Sequence, residues 1–294
     1  RSEMKKIVFL AALGLLALSM ASCGKKSDKG AASAAESATE DPSENSLGAT
    51  IQKIGDGSMM VQTDDGKSYT FDISKVKMDP AWELMPGDEV QIGYNGAEPA
   101  DGMAVNTVVM SVPFEYSSED YNEDPTIYGE ITAVDDKSIT IREQPDERAD
   151  VDEGSSQVSP ESRMGDSYTL ERAAYGTEVT KDGVKVGAFA LVSYTGDLKD
   201  KAVAYRVCTE DMMEDEASNV IGVKGKLEKF EESNPDLPIL YLKASDGTEL
   251  KFTVSDDENL KKLAKENVGK EVEVDFADSL RARVSSATNI KPLH

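Results

Sequence analysis

The chain has 294 residues, of which 32 are Lys or Arg and 56 are Asp or Glu, so its formal net charge is −24. A charge of this sign repels phosphate backbones and anionic lipid headgroups at ordinary ionic strength. We therefore expect no nucleic-acid partner, and we expect the acidic side chains to lie on a solvated surface.

The first residues have the order of an export signal. Two lysines and an apolar run, together residues 5–18, are followed by small residues. The apolar run is shorter than the ~20 residues that a membrane-spanning helix needs. Residues 18–23, Leu-Ser-Met-Ala-Ser-Cys, resemble the lipobox of bacterial lipoproteins. The resemblance implies that residues 1–22 are a cleaved signal peptide and that Cys23 carries a diacylglyceryl lipid; the alternative is an ordinary signal with an incidental cysteine.

A lipid on Cys23 would hold the exported chain on the periplasmic or extracellular face of a bacterial membrane. Residues 23–46 consist largely of Ala, Ser, Lys and acidic residues and show no apolar period. Such a composition buries too little surface to offset its ordering entropy, so we expect a flexible tether after the lipidated cysteine.

The rest of the chain contains three copies of one pattern of alternating apolar residues. The clearest element is a glycine followed by apolar residues at every second position, which indicates a half-buried strand after a turn. It begins at Gly87, Gly187 and Gly269. A preceding strand repeats too. Its apolar pairs are Met59 and Val61 in the first copy, Ile139 and Ile141 in the second, and, after an insertion at 231–238, Ile239 and Tyr241 in the third. A last alternating run follows each copy, near residues 104–108, 202–207 and 282–287.

In the third copy a helix is predicted between the third and fourth strands, with Asp256 or Asp257 as its cap and Gly269 just past its end. Three strands, a helix and two strands is the order of an OB-fold barrel. Over residues 47–290 the chain resembles the OB-like repeats of bacterial lipoproteins of unknown function. We predict an all-β chain with one short helix in the last repeat, built as three tandem five-stranded OB-like barrels. An SH3-like barrel or a small sandwich is the alternative.

The predicted domains follow from these copies and from the acidic stretches between them. They are a first repeat at 47–112, an acidic linker at 113–125, a second repeat at 126–208 with an acidic insertion at 144–166, a second acidic linker at 209–218, and a third repeat at 219–294.

The sequence offers few groups for catalysis or metal binding. The only histidine is His294, the last residue, so a Ser-His-Asp arrangement or a His-based metal site lacks its key side chain. Cys208 ends an alternating run and is predicted to be a part-buried strand residue. We expect no catalytic residue, no metal site and no cofactor.

The aromatic residues suggest one candidate for ligand binding. Trp82 could belong to a sugar-stacking face. The strand tyrosines, by contrast, fall on the apolar phase and are predicted to pack in the cores; they are Tyr69, Tyr94, Tyr168 and Tyr194.

Three functional hypotheses remain open. The first is a non-enzymatic cell-envelope lipoprotein that binds or scaffolds another envelope component, with a protein as the expected partner. The second is a lipoprotein that binds an oligosaccharide, a small ligand or a cation. The third and least favoured is a hydrolase with paired carboxylates, because the acidic residues lie mostly in turns and linkers.

Overall fold

The structure is a computed structural model that describes residues 43–76, 78, 81–144 and 165–293. The predictions about the signal peptide, Cys23, most of the tether, nearly all of the acidic insertion and His294 concern residues outside this set. The described residues belong to one compact unit, 39–294. None of the helices found among them is long and apolar enough to cross a bilayer.

Barrel 1 is a five-stranded sheet in the order β3-β2-β1-β4-β5. A bridge between Asp72 and Ala104 joins the end of β3 to the segment before β5, so the two edges of the sheet meet. Its strands are β1 (Asn45–Gly55), β2 (Ser58–Gln62), β3 (Ser68–Asp72), β4 (Glu89–Tyr94) and β5 (Thr107–Val112).

Barrel 2 has the same order and closes completely, because its fifth strand pairs in parallel with its third. Its strands are β6 (Thr126–Val134), β7 (Ser138–Glu143), β8 (Ser167–Val179), β9 (Phe189–Gly196) and β10 (Ala202–Thr209).

Barrel 3 is also closed in this order and contains helix α1 (Glu258–Asn267) between its third and fourth strands. The Asp257 carboxylate caps α1 by accepting hydrogen bonds from the amides of Asn259 and Leu260. The strands are β11 (Gly222–Glu231), β12 (Ile239–Lys243), β13 (Glu249–Val254), β14 (Glu271–Ala277) and β15 (Ser285–Pro292). The strand orders and the helix position confirm the predicted all-β class and the OB-like barrels.

The three barrels share irregularities as well as strand order. Each first strand has a bulge at the equivalent place, immediately after Ile51, Ile131 or Leu227. The carbonyls of these three residues accept hydrogen bonds of 2.7–2.8 Å from the amides of the predicted turn glycines, which are Gly87, Gly187 and Gly269. These glycines have positive φ, a conformation that other residues rarely adopt.

The first and second strands also approach closely at a glycine in barrels 2 and 3. A Cβ on Gly129 would lie 2.1 Å from the carbonyl oxygen of Arg142, and one on Gly225 would lie 2.6 Å from that of Lys243. A larger residue would therefore force the strands apart at the point where the first strand bends.

Three predicted strand positions need correction. Asn45 and Ser46, assigned to the tether, belong to β1, where the Asn45 side-chain amide donates a 2.6 Å hydrogen bond to the Gly96 carbonyl. The fifth strands of barrels 1 and 3 begin about three residues later than the predicted runs at 104–108 and 282–287. In barrel 3 the displaced residues form a loop that contacts the rest of the molecule.

The predicted register of β12 is wrong by one residue. Leu240 and Leu242, not Ile239 and Tyr241, point into barrel 3 and occupy the places of Met59 and Val61. All four residues of this run are apolar or aromatic, so alternation could not decide the register, and a shift of one residue exchanges the two faces of a strand. Tyr241 consequently lies on the outside of the barrel.

The barrels pack on one another through apolar side chains. Tyr175 and Tyr205 of barrel 2 join the core of barrel 3. A smaller cluster, which we call the barrel 1–3 junction, joins the first barrel to the third and consists of Ala81, Trp82, Met110, Ile239 and Val284. The insertion of the third copy supports this junction, because Asn234 is buried and donates a 2.9 Å hydrogen bond to the Met110 carbonyl.

Candidate binding site on the third barrel

Two arginines in the loop between β14 and β15 tie the first acidic linker to barrel 3. The guanidinium of Arg283 lies 2.6 Å from an Asp88 oxygen and 2.7 Å from a Glu115 oxygen, and both carboxylates are buried. Burial would raise the pKa of Glu115, but the hydrogen bonds and charge of Arg283 outweigh it and hold that pKa below its usual value.

Asp124, at the other end of the linker, joins barrels 2 and 3. Its side chain is buried and accepts hydrogen bonds from the Tyr205 hydroxyl at 2.9 Å and from the Leu280 amide at 2.8 Å. The Ser279 hydroxyl and the Arg281 guanidinium also donate to it. The pKa of the Tyr205 phenol is raised by its burial and by the charge of Asp124.

These contacts correct the expectation that the acidic linker residues are all solvated. Glu115 and Asp124 are buried ion-pair partners, and each is satisfied by several donors. Breaking such a pair by removing one partner is costly, because it leaves an uncompensated charge in a low-dielectric interior. Sequence reasoning missed Arg281 and Arg283, and the only signal was two arginines spaced by one residue after a strand.

Trp82, the residue singled out for ligand binding, lies in the barrel 1–3 junction and is 4% exposed. Its ring centre lies 6.0 Å from the Arg283 guanidinium carbon. The ring therefore contacts protein, and a ligand could stack on it only if the junction opened. The four strand tyrosines pack in or against the cores of barrels 1 and 2, as predicted.

Cys208 is more deeply buried than the sequence suggested, at 1% exposure near the end of β10. Burial raises the pKa of its thiol, which makes the sulfur a poor nucleophile at neutral pH. Within the described part of the chain, no group of three or more His, Cys, Asp or Glu side chains is placed to hold a metal ion.

The outer face of β11, β12 and β13 carries an aromatic ring among lysine side chains. Tyr241 lies at its centre and also packs against the barrel 1–3 junction. The Lys229 ammonium is 5.3 Å and the Lys251 ammonium 5.7 Å from the centre of its ring. A second row beside it pairs Lys226 with Lys243 across the strands. We call this surface the Tyr241 face, defined by Lys226, Lys229, Tyr241, Lys243 and Lys251.

Carboxylates alternate with these lysines. The Glu231 carboxylate lies 2.6 Å from the Lys229 ammonium and accepts a 3.1 Å hydrogen bond from the Tyr241 hydroxyl. Burial would raise the pKa of Glu231, but these two donors lower it below its usual value, so the group is charged at neutral pH. Glu228 and Glu249 lie 3.7 Å and 3.9 Å from the Lys243 ammonium.

The equivalent positions of the other barrels carry different side chains. The register places Lys229, Tyr241 and Lys251 opposite one another across β11, β12 and β13. The corresponding triplet is Lys53, Met60 and Thr70 in barrel 1 and Ala133, Thr140 and Thr169 in barrel 2. An aromatic ring between two lysines therefore occurs at this position in barrel 3 and not in barrel 1 or barrel 2.

A groove adjoins the Tyr241 face. It has a volume of about 140 Å³ and runs between β13 and the arginine-bearing loop, where it is lined by residues that include Lys251, Leu250, Leu280 and Arg283. OB-fold barrels bind ligands across the face of their second and third strands and the neighbouring loops. The Tyr241 face and this groove occupy that place in barrel 3.

Charge is distributed unevenly among the repeats. Residues 219–294 contain twelve Lys or Arg against fourteen Asp or Glu, so the third repeat is close to neutral in a chain whose net charge is −24. The net charge of the whole chain is thus a poor guide to what this one face can bind.

Comparison with known proteins gives structural similarity only. No protein-family model matches the chain, and no curated protein matches it. A solved structure described as drosophila Unr CSD456 is similar with 10% identity and a TM-score of 0.21, over 85% of this chain and 98% of that one. A multidomain protein with nucleic acid binding domains from Streptococcus pneumoniae is similar with 11% identity and a TM-score of 0.17, over 82% of this chain and 72% of that one.

These similarities correct one expectation. We expected no nucleic-acid partner from the net charge, and that exclusion is wrong, because a similar structure is described as having nucleic acid binding domains. The physical reason is that the exclusion used a sum over the whole chain, whereas recognition depends on the local charge of one surface. The similarities do not show what this chain binds.

Proposed function

We propose that this protein is a lipid-anchored, non-enzymatic binding module of the bacterial cell envelope, and that it holds another envelope component on the Tyr241 face of barrel 3. The observation that carries the proposal is the Lys229–Tyr241–Lys251 triplet on the outer strands of an OB-like barrel. A half-buried ring flanked by two lysines and by Glu231 offers an apolar contact and charged groups of both signs to a ligand.

The position in the envelope is supported by the N-terminal sequence. The apolar run at residues 7–18 is followed by the lipobox-like residues before Cys23, which is the order expected of a signal for export and lipidation. Each buried methylene of an acyl chain contributes about 0.8 kcal/mol, so two chains would hold the protein stably on the membrane.

The buried carboxylates are held in ion pairs, which favours a binding role over hydrolysis. Asp88, Glu115 and Asp124 are buried carboxylates, and each forms an ion pair with an arginine of the β14–β15 loop. A general acid needs a carboxyl whose proton can be exchanged with substrate. Carboxylates committed to ion pairs suit a structural role instead.

Anchoring is tested by replacing the modified cysteine. Cells expressing the wild-type chain and the Cys23→Ser variant are grown with labelled palmitate and fractionated. We expect label and membrane association in the wild type and neither in the variant. An unlabelled wild-type chain that is released from the membrane by salt would overturn the proposed anchor.

The face is tested by charge reversal with a matched control. Immobilised wild-type chain, the Lys229→Glu/Lys251→Glu variant and the Lys53→Glu/Lys181→Glu variant are compared for retention of material from an envelope extract. Both variants change the net charge equally, and Lys53 holds the place of Lys229 in barrel 1. We expect retention to fall in the first variant only; an equal fall in both would contradict the proposed site.

A further inference from the structure

We infer that the groove beside β13 binds a short extended peptide of a protein partner, and that an aspartate carboxylate of this peptide accepts a hydrogen bond from the Lys251 amide. The peptide would add a strand to the free edge of β13. The inference rests on the function proposed above, because it names the part of a partner that barrel 3 would hold.

The first half of β13 has a neighbouring strand on one side only. Its pairing with β15 covers Phe252–Val254. On the β12 side, the Ala244 amide donates a hydrogen bond to the Thr248 carbonyl. Because bonded residues alternate along an antiparallel strand, the backbone groups of Glu249 and Lys251 point away from β12, towards the groove.

Two backbone groups on this edge have no hydrogen-bond partner among the described residues. They are the N–H of Lys251 and the C=O of Glu249. Unpaired groups on a strand edge are a template for another strand, and peptides bind such edges by adding one. The groove has a volume of about 140 Å³, so only a few residues of a peptide would lie in it.

Barrel 1 shows what occupies the equivalent place there. Thr70 is the counterpart of Lys251, and its amide donates a 2.8 Å hydrogen bond to the Asp101 carboxylate. The Thr70 carbonyl accepts a 2.7 Å hydrogen bond from the Gly102 amide. The segment around Asp101 therefore lies along the third strand of its own barrel and supplies a carboxylate to it.

Barrel 3 lacks this contact because the corresponding segment is held elsewhere. Ser286 and Ala104 are equivalent residues, since they pair with β13 and β3 at the same position. Counting back three residues from each makes Arg283 the counterpart of Asp101. The Arg283 amide and guanidinium both donate hydrogen bonds to Glu115. This attachment to the first acidic linker leaves the edge of β13 uncovered.

The surroundings of the groove suit an acidic peptide with a small apolar side chain. Lys251 forms no ion pair among the described residues, whereas Lys229 and Lys243 are paired with carboxylates. A carboxylate bound to the Lys251 amide would bring negative charge towards this ammonium group. Leu250 and Leu280 line the groove and are partly buried, so they offer an apolar contact.

The ligand class is tested with a fluorescent peptide that copies residues 99–106 of this chain, which include Asp101. Two further peptides carry Asp101→Asn or Asp101→Ala. We expect the full chain to bind the Asp peptide about tenfold more tightly than either, because charge-assisted hydrogen bonds are roughly twice as strong as neutral ones. Equal affinity for the three peptides would overturn recognition of a carboxylate.

The contact is tested by NMR of the full chain. When the Asp peptide is added, we expect the Lys251 amide proton to shift downfield and to exchange more slowly with solvent, because it gains an acceptor. Thr169 holds the same position in barrel 2 and is the control, whose amide should not respond. A peptide that binds without changing the Lys251 amide would overturn the proposed contact.

A substitution that fills the groove separates it from the Tyr241 face. Ala282 lines the groove and is partly exposed, so Ala282→Tyr should abolish peptide binding. Ala97→Tyr, on an exposed loop of barrel 1, should leave it unchanged. Urea unfolding checks that both variants are folded, and the three peptides test the inference on the unaltered chain in any case. Peptide binding that a folded Ala282→Tyr variant retains would overturn the groove as the site.

The inference and the proposed function fail in different ways. If the chain does not bind the Asp peptide, but reversing the charges of Lys229 and Lys251 still lowers retention of envelope material, the peptide is overturned and the Tyr241 face stands. If that reversal does not lower retention, the proposed function itself is contradicted.

Discussion

Buried ion pairs attach the first acidic linker to barrel 3. Glu115 and Arg283 are 168 positions apart in sequence, and they meet with the Glu115 side chain 4% exposed. The sequence shows Glu115 as one acid among many between two barrels, because nothing local distinguishes an acid that will be buried from one that stays solvated. The predicted cap of α1, by contrast, depends on neighbouring residues only and was found at Asp257.

We predict that Glu115→Gln lowers the free energy of unfolding by about 2 kcal/mol, since hydrogen bonds to charged groups are worth roughly that much and Arg283 loses a charge partner. Urea unfolding measures the change. The control is Glu119→Gln in the same linker, whose side chain is exposed and should contribute little. A Glu119 variant as unstable as the Glu115 variant would show that the ion pair is not the cause.

The same pair predicts how stability depends on pH. The pKa of Glu115 in the folded chain lies below its ordinary 4.5. Its contribution to stability is therefore complete above about pH 4.5, and it is lost as the pH falls through the lower folded pKa. We expect the wild type to lose stability over this acid range more steeply than Glu115→Gln. Equal slopes for the two proteins would argue against a lowered pKa.

At the scale of elements, the alternation of apolar residues predicted most strands because each barrel has one face inside and one face outside. It failed at β12, where residues 239–242 are all apolar or aromatic and either face could be buried. It also failed at the start of the fifth strand of barrel 3, where Arg281 and Arg283 form tertiary contacts. The candidate site lies at β12 and beside the segment before β15, where the alternation did not predict the structure, and sequence reasoning therefore did not find it.

Helix α1 provides a prediction with a close control. Asp257→Ala should destabilise the chain by about 1 kcal/mol, because the amides of Asn259 and Leu260 lose their acceptor at the helix start. Asp256→Ala removes only an exposed ion pair with Lys261 and should cost less. Thermal unfolding of the two variants side by side measures the difference, and the reverse ranking would assign the cap to Asp256.

At the scale of the molecule, barrel 3 contacts both of the other barrels, and the first acidic linker runs along it. Trp82 is the only tryptophan in the chain and lies in the barrel 1–3 junction, so its fluorescence reports whether that junction is closed. We predict that Arg283→Ala shifts the emission of the folded chain to longer wavelength, because water reaches the ring. Arg142→Ala, which removes an ion pair in barrel 2, should leave the emission unchanged.

The three barrels and their helix could be predicted from periodicity and turn residues, since both are local properties. The packing between barrels could not, because it depends on residues distant in sequence, such as Asn234, whose side chain donates a hydrogen bond to the Met110 carbonyl 124 positions away. The proposed binding face could not be predicted either, because equivalent positions of the three repeats are defined by the strand pairing, which the sequence alone does not show.

The claim that barrel 3 holds the binding face is tested most directly by photo-crosslinking in intact cells. A photoreactive amino acid is placed at one of three equivalent positions, which are Lys53, Ala133 and Lys229. We predict an adduct from position 229, its loss when Lys251 is changed to Glu, and no adduct from positions 53 and 133. An adduct from either of those positions, with none from position 229, would contradict the assignment of the binding face to barrel 3.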